Sequence, residues 1–83
     1  MKMTVKRWIA DKAQTEAKRY NYFFNVEYVN GFYADIENDT VTLESVEIIK
    51  ETEKAVQVAI GCGAIDGKVG TWNAWLPKSQ IVA

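Results

Sequence analysis

The sequence predicts an α+β fold in one domain, 1–83, with an N-terminal helix packed on a strongly bent antiparallel sheet of about five strands. Three observations predict it. Val5, Trp8, Ile9, Ala13, Ala17 and Tyr20 recur at helical spacing and form one apolar stripe. Val56, Val58, Ile60 and Cys62 alternate with Gln57, Ala59 and Gly61, the period of a strand that buries one face. Asn30-Gly31 separates two β-prone runs, which is the strongest short-range hairpin signal because both turn residues must accept positive φ.

The helix is expected over residues 4–20. Thr4 can cap its start, and Lys18 and Arg19 suit the negative end of its dipole. The next segment, 21–36, is aromatic: all four tyrosines and all three phenylalanines of the chain lie between positions 20 and 33. Strands over 26–29 and 32–35 flank the Asn-Gly turn. A helix continuing from Tyr22 to Val29 is the rival reading, and the density of aromatic and β-branched residues favours strand. Asn38-Asp39 is a turn, followed by a strand over 41–50. Val41 and Leu43 keep one phase and Val46 and Ile48 the other, so a bulge or sharp bend is expected at Ser45. Residues 51–54 form a polar turn before the alternating strand. Four of the five glycines then fall within 61–70, where Asp66-Gly67 is the natural hairpin tip. The strand 71–76 puts Trp72, Ala74 and Leu76 on the core side with Val56, Val58 and Ile60, and Trp75 on the other. The chain closes with a break at its only proline, Pro77, and a short strand through Ile81 and Val82.

Composition narrows the chemistry. The chain has no histidine, so it lacks the commonest general base and metal ligand, and no Ser-His-Asp or Cys-His nucleophile system can be built from it. Its one cysteine, Cys62, cannot form an intrachain disulfide and falls in phase with the buried residues of its strand. Gly67-Lys68 ends like a phosphate-binding loop, but Cys62 stands where the first glycine belongs and Val69 follows the lysine. No catalytic, cofactor-binding or metal-binding residue is expected, and the chain reads as non-enzymatic. No apolar run reaches the length of a membrane span and no signal sequence is visible, so a cytoplasmic location is expected.

Net charge is −1, yet the charge is segregated. Residues 1–20 carry Lys2, Lys6, Arg7, Lys12, Lys18 and Arg19 against Asp11 and Glu16. Residues 21–53 carry eight acids against Lys50 alone. Such a bipolar chain can steer a charged partner to one face. The acidic segment, with Glu44, Glu47 and Glu51, offers a surface that imitates nucleic-acid phosphates toward a basic partner. Tyr28, Phe32, Tyr33 and Trp75 are expected to supply aromatic anchors for a protein partner.

The closing segment, Ala74-Trp75-Leu76-Pro77-Lys78-Ser79-Gln80-Ile81-Val82, resembles the end of SH3 domains: a strand, a proline, a 3₁₀ turn and a final strand. The resemblance implies an open SH3-like barrel. The Ala-Leu-Tyr-Asp-Tyr start is missing and Gln80 replaces the usual ligand-binding tyrosine, so binding of proline-rich peptides is not implied. The segments Glu51 to Val56 and Trp75 to Ile81 also resemble short phage and prophage proteins of low-GC bacteria that end in Trp-[Leu/Ile]-Pro-Lys-Ser-Gln-[Ile/Leu]. That resemblance implies an accessory protein of a mobile element. The expected function is therefore binding to a host or phage protein, with a homo-oligomer expected as well. One alternative is a single-stranded nucleic-acid or RNA binding module; the aromatics lie in the most acidic stretch, which repels phosphate unless Lys18 and Arg19 turn toward them. The other is a homo-oligomeric structural subunit.

Overall fold

The computed structural model describes Met1 to Ala83 and contains one helix and six strands. In chain order these are β1 (Met3–Lys6), α1 (Arg7–Lys18), β2 (Tyr22–Phe24), β3 (Thr40–Leu43), β4 (Val46–Glu51), β5 (Ala55–Ala64) and β6 (Val69–Pro77), followed by a 3₁₀ turn over Lys78–Gln80. Every strand pair is antiparallel. The frame is β5. One edge carries β6 along its length, from Ala55 opposite Pro77 to Gly63 opposite Val69. The other edge is shared end to end by β4 and β2. β1 and β3 form a separate two-stranded sheet.

The alternation read in β5 is observed: Val56, Val58, Ile60 and Cys62 are buried, and the residues between them are partly exposed. They share the core with Leu76, with Met3 and Val5 of β1, with Val41 and Leu43 of β3, and with Ile9, Ala10 and Ala17 of α1. The two buried alanines let α1 approach closely. Trp72 and Ala74 pack against this core from its margin. Gln14 then locks the helix to β2. Its Nε2 donates to the Tyr22 carbonyl (2.9 Å), and its Oε1 accepts from the Phe24 N–H (2.8 Å). One side chain thus satisfies the free edge of β2 as a neighbouring strand would.

Several expectations are corrected. The helix begins at Arg7, not at residue 4, and Thr4 does not cap it. Met3 to Lys6 pair with Thr40 to Leu43, and the Thr4 and Thr42 hydroxyls meet at 2.8 Å. Partners some forty residues away outweigh a local helical turn. The Asp39 carbonyl accepts the Arg7 N–H (2.9 Å) at the helix start. Asn21, at φ 63°, ends the excursion after Arg19 in the left-handed conformation. Trp8 and Tyr20, assigned to the apolar stripe, are exposed. The expected strand over 41–50 is two strands in two sheets, broken at Glu44-Ser45, so the phase slip marks a change of sheet. The closing strand is a single bridge between Val5 and Ile81. The strands number six, and the two sheets do not close into a barrel.

Candidate protein-binding surface

The aromatic segment is shaped by two turns. Asn30 and Gly31 both have positive φ (51° and 82°), and Val29 and Phe32 exchange two backbone hydrogen bonds of 2.8 and 2.9 Å. This is the expected hairpin turn, although its arms are isolated bridges and not extended strands. In the second turn Asp35 and Thr40 exchange backbone bonds, and the Asp35 carboxylate accepts from the Asn38 N–H and from Asn38 Nδ2 (2.8 Å). Those bonds hold its pKa below the ordinary value. Ala34 is buried, and Val26 bridges to Leu43. The segment is therefore pinned along one flank of α1, with Phe24 and Val26 in the core, Tyr33 packed against it, and Phe23, Tyr28, Phe32 and Ile36 exposed.

Between this segment and α1 lies an open cleft of about 530 Å³, with Phe23, Tyr28 and Tyr33 on one side and Asp11, Gln14 and Lys18 on the other. Tyr33 donates its hydroxyl to Asp11 Oδ1 at 2.5 Å. Burial, reinforced by that bond, pushes the Tyr33 phenol above its ordinary pKa. Beyond Tyr33 the surface continues over Phe32 and Ile36. Tyr28 and Phe32 remain 67% and 58% exposed, high values for rings of this size. Three of the predicted contact residues, Tyr28, Phe32 and Tyr33, are thus brought together. Phe23 and Lys18 complete the cleft. Lys18 stands beside the rings as its position before Tyr20 allowed, whereas Phe23 was one of seven clustered Tyr and Phe residues with no signal to separate it.

The other predicted contact residues lie elsewhere. Trp75, 50% exposed, sits on the outer face of the large sheet, opposite Gln57. Glu47 lies on that same outer face, opposite Ala59. Glu44 occupies the break between β3 and β4, and Glu51 is paired with Lys78 (2.6 Å). The structure does not gather the three glutamates into one patch. Moreover, the charge segregation of the sequence is partly offset in space, where three of the eight acids of the middle segment are paired. Lys2 pairs with Glu27, Arg7 with Asp39 (2.9 Å), and Lys78 with Glu51, each joining an acid of the middle segment to a base from the flanking ones. Hydrogen bonding to Glu27 raises the Lys2 pKa. Cys62 is buried, and burial pushes its thiol up. No helix is long and apolar enough to cross a membrane. Comparison with protein-family models, with curated proteins and with solved structures finds no match to the chain.

Proposed function

We propose that the chain is a non-enzymatic accessory protein of a phage or prophage that binds a host or phage protein through the cleft beside α1. The observation that carries this reading is the convergence of Phe23, Tyr28, Phe32 and Tyr33 on one flank of the helix, with Tyr28 and Phe32 more than half exposed. Large aromatic rings that remain in solvent on a fixed backbone act as anchors at protein interfaces, where burying them supplies most of the binding energy. Catalysis has little to work with: there is no histidine, and the single thiol is inside the core. The finer form of the fold also belongs to this proposal. The long β6, the 3₁₀ turn and the Val5–Ile81 bridge support an open SH3-like arrangement carrying an added helix. The test is affinity capture from a bacterial lysate after nuclease treatment, with wild type and a Tyr28→Ala/Phe32→Ala variant side by side. A protein retained by wild type and lost by the folded variant supports the reading; equal retention refutes it.

Lys18 favours a second reading. It lines the same cleft as four aromatic rings, the pairing of cation and stacking surface that single-stranded nucleic acid uses. Asp11 on the same wall opposes it. Fluorescence anisotropy with a labelled mixed-sequence oligonucleotide separates the two. Saturable binding lost on Lys18→Ala would replace the protein-binding reading.

A further inference from the structure

Sheet edges are points of uncontrolled association, and this chain protects nearly all of its own. The free edge of β2 is satisfied by Gln14. β4 carries Glu47, Lys50 and Glu51 and an irregularity between Ile48 and Lys50. β1 lies between β3 and the bridge to Ile81, and β3 is bridged by Val26. β6 is the exception. It runs nine residues, Val-Gly-Thr-Trp-Asn-Ala-Trp-Leu-Pro, with no charge and no break in its register with β5.

The register also says which backbone groups are free. The Ala64 N–H donates to the Lys68 carbonyl (2.7 Å), and the Lys78 N–H donates to the Lys54 carbonyl (2.8 Å). Both pairs are in phase with Gly70, Trp72, Ala74 and Leu76, which therefore bond to β5. Val69, Thr71, Asn73 and Trp75 turn their N–H and C=O groups outward, and no other segment bonds to them. A groove of about 480 Å³ runs between this edge and α1, with Trp8, Lys12, Ala13 and Glu16 on the helix wall.

We propose that the β6 edge is a self-association site, at which a second copy of this chain adds its own β6 antiparallel across a two-fold axis. Charge selects the second copy as the occupant. The uncharged strand meets no like charge in its twin. The register that sets Thr71 opposite Asn73 of the copy also sets Val69 opposite Trp75, covering two side chains that are 87% and 50% exposed. It places Asp66 toward the copy's Lys78, whereas a shift of two residues would set Lys68 against Lys78. The site is separate from the cleft beside Tyr28, so it stands whether or not the proposed function does.

The test is sedimentation equilibrium from low to high micromolar concentration, with wild type, Asn73→Pro, Thr71→Lys and Tyr28→Ala/Phe32→Ala. The Asn73 N–H points outward, so proline there removes a bond to the copy and none to β5. Lysine at Thr71 is a natural edge blocker and serves if the proline variant fails to fold. Wild type is expected to approach about twice 9.4 kDa. The two β6 variants should stay at the monomer mass with an unchanged circular dichroism spectrum, and the cleft variant should associate as wild type does. A monomeric wild type, or a folded Thr71→Lys variant that still dimerises, overturns the proposal, as does loss of the dimer in the cleft variant alone.

Discussion

Replacing Gln14 with alanine should destabilise the domain far more than an ordinary half-exposed helix position. The side chain makes two bonds to the β2 backbone, one as donor and one as acceptor. Each bond is worth roughly 0.5–1.5 kcal/mol net, and a buried group left without a partner costs roughly 1–3 kcal/mol. Phe24 is buried, so its N–H has little access to water; the Tyr22 carbonyl has more. Alanine returns a few tenths of a kcal/mol through its better helix propensity. The expected net loss is about 1.5–3 kcal/mol, or about 6–24 °C in melting temperature for a domain of this size. Urea denaturation gives the free energy, and amide exchange at Phe24 shows whether the loss is local. Gln14→Glu is the sharper variant. Its carboxylate still accepts from Phe24 but sets a second oxygen against the Tyr22 carbonyl. That contact favours the protonated form and raises the folded-state pKa of the introduced carboxyl. Its stability should therefore be fullest below the ordinary carboxylate range and fall as pH rises through the folded value. An alanine variant with the wild-type midpoint and a protected Phe24 amide would show that Gln14 does not hold the helix to β2.

Other outcomes follow from the same geometry. Gly31→Ala should cost about 1–2 kcal/mol in denaturant melts, because a side chain is strained at φ 82° although space for it is open. Trp72→Ala should cost about 2–4 kcal/mol, somewhat below the cost of truncating a fully buried ring, since Trp72 packs at the core margin against Tyr20 and Tyr22. Raising the pH above about 10, the ordinary phenol value, should erode stability. The folded Tyr33 holds its proton longer than the unfolded one, so its contribution is complete below that pH and is lost as pH rises through the folded value; Tyr33→Phe should flatten this alkaline limb in a melt series. Cys62 should react with a thiol reagent only at the rate of unfolding, and fast labelling under native conditions would contradict its burial.

What the sequence disclosed depended on how local the cause was. The β5 alternation, the positive-φ turns at Asn30-Gly31 and Gly67, and the 3₁₀ turn after Pro77 are each set by a few adjacent residues, and all are observed. The first strand was hidden because Met3 to Lys6 gain their partners only from β3, and Val5 fits a helical stripe as well as a strand. The break at Ser45 was visible as a phase change, but its meaning was not. A bulge and a change of sheet leave the same trace until the partners are known. The grouping of Tyr28, Phe32 and Tyr33 was legible from their clustering. The dispersal of Glu44, Glu47 and Glu51 was not, because strand partners decide where each carboxylate points. Gln14 carried no signal at all: a glutamine in a helix looks like surface until a strand edge lies beneath it.

β2 and β4 sit end to end on one edge of β5, although more than twenty residues separate them along the chain. Asn25 and Ser45 each bond to Gly61 of β5, and from Val26 to Glu44 the chain leaves the large sheet. The register of β4, β5 and β6 takes nothing from the tip at Asn30-Gly31, while Tyr28, Phe32 and Tyr33 all ride on that outlying stretch. The molecule is thereby divided into a frame and a cassette. Exchanging or lengthening the cassette leaves the frame in register, because the stretch is tied down at Val26 and again at Asp35–Thr40. The exposed rings of the cassette can therefore be changed without disturbing the scaffold, and the same cut points suit the grafting of new binding loops by design.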